Sequence, residues 1–174
     1  MSAKSLTTKI KRLSEKAVMP SRAHETDSGW DLTVIGIDKI KADTIFFKTG
    51  LKIAPPLGHY FEVYPRSSIS QLPFMLANSV GIIDESYTGE LIVAIRVLHP
   101  HVGSSSERDT YPSGMINTLD ARPTSMNEVA NLILGKKPKI AQMILRKRID
   151  TTFSEVEEIA ETERGSGGFG STGQ

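Results

Sequence analysis

Apolar and polar positions alternate along much of this chain, in short runs separated by residues that turn the backbone. The runs are LTVIGI at 32–37, TIFFKTGLKI at 44–53, HYFEVYP at 59–65, LANSVGII at 76–83, ELIVAIRVL at 90–98 and KIAQMILRKRI at 139–149. Their period near two and their β-branched content predict strands, most with one face toward a core. Connections such as APPLGH at 54–59 carry Pro and Gly, which fix or permit turn dihedrals. No segment before residue 123 sustains a helical period over three turns. The expected class is therefore all-β, a sandwich or barrel, and the pattern alone leaves jelly-roll, immunoglobulin-like and barrel topologies open.

The alternation lapses at 101–136, which opens with HVGSSSERDTYPSGMINT and reads as a long loop insertion. Within it, Pro123 and Thr124 followed by SMNEVANLILGKK predict one short helix. Thr124 would cap it, Met126, Val129, Leu132 and Ile133 would form its apolar face, and Gly135 would stop it. From Arg164 the chain reads RGSGGFGSTGQ, with too little apolar material to pack a core, and mobility without ligand is expected. The expected organisation is an N-terminal tail at 1–7, one β domain at 8–163 holding the 101–136 insertion, and a flexible Gly-rich arm at 164–174.

At 174 residues the chain is one domain's worth of polymer, and 39% hydrophobic with 24% charged residues is ordinary globular composition. A formal charge of +1 gives no global field toward nucleic acid or membrane. Absence of cysteine removes disulfides, zinc–thiolate sites and thiol nucleophiles. No apolar run approaches the roughly 20 residues of a membrane helix, and no signal-peptide pattern opens the chain. The expectation is a soluble intracellular protein, cytoplasmic or nuclear, with neither nucleic acid nor membrane as partner. His24, His59, His99 and His101 form no ligand spacing with carboxylates and read as solvated or turn residues. Arg146, Lys147 and Arg148 read as the exposed end of a strand.

The segment SVGIIDESYTGELIV at 79–93 places apolar runs on both sides of a turn bearing Asp84, Glu85, Tyr87 and Gly89, which predicts a β-hairpin. Open backbone N–H and C=O groups there could match a pyrimidine edge, and Asn78 could add a side-chain amide. Read singly, each polar residue has an ordinary structural role. Asp84 would bond its own turn, Tyr87 would pack half-buried, and Arg66 to Ser68 would cap a turn after a strand. Asp31 would make an Asx turn after Gly29, and Gln142 would belong to a solvated strand face.

Five short motifs stand together in order: Ser28-Gly29-Trp30-Asp31-Leu32, Pro65-Arg66-Ser67-Ser68, Gly81-Ile82-Ile83-Asp84 with Tyr87 and Gly89, Ala141-Gln142, and Arg164-Gly165-Ser166-Gly167-Gly168-Phe169-Gly170. Any one arises by chance. All five in this order, spanning nearly the whole chain outside the insertion, resemble the motifs of the trimeric dUTPase family.

The resemblance implies a jelly-roll-like β-sandwich or barrel forming a homotrimer, each active site built from three chains. It implies hydrolysis of dUTP to dUMP and pyrophosphate with Mg²⁺, by in-line attack of water on the α-phosphorus. On that reading Asp84 is catalytic and positions the water. Asn78, Gly81, Ile82 and Ile83 would receive the base, and Tyr87 would lie under the deoxyribose and exclude a 2′-hydroxyl. Arg66, Ser67, Ser68 and Gln142 would bind near the phosphates, Asp31 would hold Mg²⁺ through water, and Arg164, Gly168, Phe169 and Gly170 would close over the substrate. That chemistry is phosphoryl transfer assisted by positioning and charge.

Three places depart from the family pattern: Gln71 where a basic residue is usual, Lys137-Pro138-Lys139 before Ala141, and the insertion, which could receive a protein partner. The related dCTP deaminases use a Glu acid/base on the strand after the third motif, where this chain has Ala94. A dUTP-sensing regulatory protein is the remaining alternative.

Overall fold

The structure, a computed structural model, describes residues 6–72, 74–98, 125–136 and 138–167. Residues 101–124, the expected Thr124 cap, Lys137, His99, His101, and the arm residues Gly168, Phe169 and Gly170 lie outside the described residues, as does the side chain of Gln71. Strands form where the alternation places them, but they are shorter and more numerous than the apolar runs. Among the described residues they are, in order, β1 (Lys9–Arg12), β2 (Trp30–Thr33), β3 (Gly36–Lys41), β4 (Thr44–Lys48), β5 (Leu51–Ala54), β6 (His59–Pro65), β7 (Phe74–Leu76), β8 (Gly81–Ile83), β9 (Ile92–Val97) and β10 (Lys139–Lys147), with one α-helix, α1 (Met126–Lys136), before β10.

Two four-stranded antiparallel sheets enclose the core, one ordered β2-β10-β6-β8 and the other β3-β4-β9-β7, while β1 and β5 form a two-stranded ribbon. Leu32, Phe61, Val63, Ala141 and Met143 face inward from the first sheet against Ile45, Phe47, Val93, Ile95 and Val97 from the second. Because side chains alternate across a strand, Asp31, Tyr60, Glu62, Tyr64, Gln142 and Arg146 are left on the outer face of the first sheet. Of the polar residues singled out in the sequence, that face carries Asp31, Gln142 and Arg146.

Chain breaks explain the extra strands. The run at 44–53 divides at Thr49 and Gly50, where Gly50 has φ +70° and a Cβ would meet Ile35 Cδ1 at 2.6 Å and Ala17 Cβ at 2.9 Å. Only glycine fits both the dihedral and the space. Buried Thr49 donates to the Leu91 carbonyl at 2.7 Å, and the Gly50 N–H donates to Glu90 Oε1 at 2.8 Å, so this break fixes where the chain enters β9. The run at 76–83 likewise divides, with Ser79 at φ +58° between β7 and β8.

The hairpin expected around Asp84 does not form. β8 pairs with β6 in one sheet, whereas β9 pairs with β4 and β7 in the other. Alternation marks a segment as a strand but carries no information on its partner, and here the turn at 84–91 crosses between layers instead of folding back. Strand β1 was also not expected, because its sequence KIKR is charged and lacks an apolar run.

Helix α1 agrees with the expected short helix, with three differences, the first being that Ala130 and Leu134, not Leu132, join Met126, Val129 and Ile133 on the core face. Ser125 Oγ accepts the Glu128 N–H at 3.3 Å, placing the cap at Ser125, and Gly135 lies within the last turn instead of ending it. Val129, Ala130 and Ile133 are buried in the core, so the helix is a packed element and not loop. Ile133→Ala should accordingly cost about 2–5 kcal/mol, measurable by denaturant unfolding.

Candidate functional site

One polar cluster forms at the β2/β10/β6 edge of the first sheet. The register aligns Asp31 with Gln142 and Gln142 with Tyr64, and Arg66 follows directly after β6. Arg66 Nε meets Asp31 Oδ1 at 2.7 Å, and Lys139 Nζ stands 3.6 Å from Asp31 Oδ2, with the Asp31 side chain only 16% exposed. Asp31 is thus a strand residue bracketed by two cations, and the Asx-turn reading is replaced. Gln142 Nε2 donates to the Pro65 carbonyl at 3.1 Å, and its amide lies where a Cβ on Gly29 would stand. Gly29 is needed for that close approach. Ser67 and Ser68 begin a 3-10 turn, Ser67–Gln71, held by Ser70 Oγ donating to the Ser67 carbonyl at 2.7 Å and by buried Ile69.

A second cluster surrounds Asp84, directly after β8. The Tyr87 N–H donates to the Asp84 carbonyl at 3.1 Å, and Tyr87 hydroxyl donates to the Glu90 carbonyl at 2.8 Å. The Tyr87 ring end occupies the space a Cβ on Gly89 would take, so Gly89 lets the ring lie against the backbone. Asp84 is exposed and, with Ile82, His59, Tyr60, Glu85, Ser86 and Arg148, lines a cleft of ≈ 630 Å³. Gly81 lies against Val63 Cβ and Asn78 Nδ2, which a Cβ there would approach to 3.3 and 3.1 Å. This keeps the Asn78 amide beside the β8 backbone.

Between the clusters, Glu62 accepts from Tyr64 at 2.6 Å, Arg146 at 2.7 Å and Tyr60 at 3.1 Å. The Tyr64 hydroxyl first, then the Arg146 guanidinium, hold the Glu62 carboxyl below the usual carboxylate range. Tyr60 is pushed up, chiefly by donating to Glu62. A depressed folded-state pKa means that the Glu62 contribution is present above the unfolded value of about 4.3 and lost as pH falls through the folded one. The stability gap between the native chain and Glu62→Gln should therefore narrow below about pH 4, as read by urea unfolding at several pH values.

The two clusters are far apart within one chain. They lie on opposite edge strands and at opposite ends of the sheet, because Asp31 shares a level with Tyr64 while Asp84 falls at the level of Tyr60. Three strand spacings of about 4.8 Å and four residues of about 3.3 Å put their backbones on the order of 20 Å apart. Arg164 joins neither cluster. Its Nε donates to the Gly167 carbonyl at 3.1 Å within its own turn. After β10, residues 148–166 are exposed throughout, including Ile149 at 83%, Phe153 at 98% and Ile159 at 86%.

Among the described residues, no group of three or more His, Cys, Asp or Glu stands together to hold a metal ion. Asp31, with an oxygen only loosely engaged by Lys139, can still accept from a metal-bound water, which suits an ion that keeps its hydration and takes phosphate oxygens as ligands. No helix of the described residues is long and apolar enough to cross a membrane. Ala94 pairs with Phe46 in β9, so that strand presents no carboxylate at this position. Sequence reasoning did not select Lys139, His59, Tyr60, Glu85 or Arg148 as site residues. All were visible as polar residues, but strand register alone brings them to these clusters.

The family model described as dUTPase matches residues 15–100 and 125–173 and leaves out 101–124. The chain is 34% identical over 166 residues to a deoxyuridine 5'-triphosphate nucleotidohydrolase of Clostridium kluyveri, covering 94% of this chain and 96% of that one. Staphylococcus bacteriophage 80alpha dUTPase, solved with dUPNHPP, shares the fold with TM-score 0.66 and 23% identity, over 98% of this chain and 100% of the other. A mutant dUTPase from phage phi11 of S. aureus, described for coordination of a structural Mg(II) ion, gives TM-score 0.61 at 22% identity, covering 88% and 99%.

Proposed function

The chain belongs to the dUTPase family, and from that premise we propose that it hydrolyses dUTP to dUMP and pyrophosphate. The observation that carries the reading is the third-motif turn, where an exposed carboxylate and Ile82 of the edge strand β8 line a cleft and the Tyr87 ring, three residues on, is seated on Gly89.

Uracil would bind along Gly81, Ile82 and Ile83 and the Asn78 amide, and Tyr87 would support the deoxyribose. Asp84 would accept a hydrogen bond from water and orient it toward the α-phosphorus. The new P–O bond forms as the bond to the α,β-bridging oxygen breaks, and pyrophosphate leaves. Positioning and charge provide most of the rate in such phosphoryl chemistry. Arg66, with Ser67, Ser68 and Gln142, would supply donors to the phosphates, while Arg164 and the arm through Gly168, Phe169 and Gly170 would close the site. Asp31 would hold Mg²⁺ through water, and the ion would neutralise triphosphate charge.

The same geometry supports sites shared between chains, and the family resemblance supports a homotrimer. Arg66 and Asp84 are too far apart in one protomer to act on adjacent phosphates, whereas a neighbour's Arg66 edge could meet the Asp84 turn. Solvated apolar residues at 149, 153 and 159 also favour a second copy beneath them. The part of the 101–136 insertion that the family model leaves out, 101–124, would be the segment to take a protein partner.

The test is pyrophosphate release from dUTP, dCTP, dTTP and UTP with Mg²⁺ and with EDTA. Selective turnover of dUTP, abolished by EDTA, is expected. Absence of dUTP turnover with retained binding would establish the sensing role instead, and ammonia released from dCTP would establish deamination.

A further inference from the structure

Building on that reading, we infer that Glu85 and Arg148 are positioning residues that hold the Asp84 carboxylate in place. Among the described residues, no side chain engages the Asp84 carboxylate, and its turn keeps the single Asp84–Tyr87 backbone bond. Its orientation must come from what anchors the turn. Glu85 Oε2 accepts the Gly58 N–H at 2.9 Å and Arg148 Nη1 at 3.2 Å. The Arg148 N–H in turn donates to the Gly58 carbonyl at 2.8 Å, and its Nε donates to Asp150 Oδ1 at 2.9 Å. Gly58 has φ +71°, a conformation L side chains rarely adopt.

One carboxylate therefore ties together three chain segments at the same end of the sheet: the turn into β6, the exit from β8 and the exit from β10. Glu85 is the residue next to Asp84, so displacement of its side chain rotates the adjoining peptide and moves the water-holding oxygens. A shift of about 1 Å at such a position can cost on the order of 100-fold in rate. Arg148 also begins the exposed segment leading to Arg164, so the same knot fixes where that segment leaves the sheet.

Glu85→Ala is expected to lower kcat for dUTP about 10- to 100-fold with KM within about twofold and the oligomer intact, and Arg148→Ala to do the same more weakly. Glu85→Gln keeps an acceptor for Gly58 and should restore most of the rate. In an Asp84→Asn background, Glu85→Ala should cause no further loss, because it acts through the residue already removed. Independently of turnover, hydrogen exchange of the Tyr87 amide should quicken about tenfold or more in Glu85→Ala. Native kcat in Glu85→Ala, a full additional loss in the Asp84→Asn background, or unchanged Tyr87 exchange would each overturn the inference. If the native protein fails to turn over dUTP, the functional reading falls, and the exchange measurement still decides whether Glu85 clamps the turn.

Discussion

Asp84→Asn is expected to lower kcat for dUTP hydrolysis by about 10³-fold while KM stays within about threefold. The substitution is nearly isosteric and leaves an oxygen that can still accept a hydrogen bond. What it removes is negative charge and basicity at the atom facing the water. Asp84 is exposed, and its side chain engages no partner among the described residues. The variant should therefore unfold at the native temperature and assemble normally, so that lost rate cannot be assigned to lost structure. Steady-state pyrophosphate release across dUTP concentrations, with a thermal melt of the same sample, makes the measurement. A loss of less than about tenfold would remove Asp84 from the catalytic role, since a positioned acid or base contributes at least 100-fold in typical cases. A rise in KM at constant kcat would make it a binding residue that contacts substrate and transition state equally.

Much of this architecture was readable along the chain, and the places where it was not have physical causes. Alternation in HYFEVYP and KIAQMILRKRI predicted β6 and β10 almost to their ends, because strand period and burial are local properties. Breaks at Thr49 and Gly50, and at Ser79, were hidden in continuous apolar runs. They depend on positive φ and on contacts with residues 90 and 91, far along the sequence. The Asp84 segment was recognised as a turn, but the partners of its flanking strands were not, since register and sheet membership are tertiary choices. For the site, motif order pointed to Asp31, Arg66, Asp84 and Gln142 without distances. The pairing of Arg66 with Asp31, the wedge of Gln142 against Gly29, and the Glu85–Arg148–Gly58 knot exist only in the folded chain. A charge pair between residues 63 positions apart leaves no trace in local pattern.

Mixing two inactive chains should restore activity, and the amount restored tests the shared site directly. Asp84→Asn keeps the Arg66 edge, and Arg66→Ala keeps the Asp84 turn; each variant alone should show at most about 1% of native turnover. If each site takes Asp84 from one chain and Arg66 from another, random assembly of equal amounts completes about one site in four, because each contributor is intact half the time. Co-folded mixtures should then reach roughly a quarter of native activity. A site contained in one protomer predicts no recovery, since every chain carries one lesion. The separation of the two clusters across the sheet favours the first outcome, because no small loop movement closes about 20 Å between elements tied into the same four-stranded sheet. Loss of Arg66 leaves Asp31 facing Lys139 alone, so sedimentation and thermal melting of the Arg66→Ala chain must show an intact oligomer. A chain ending at Glu163, used in place of Arg66→Ala, asks the same question of the arm. Recovery with both partners would show that the Asp84 turn draws its phosphate contacts and its closing segment from other copies, while recovery with only one would return the remaining element to the chain that carries Asp84.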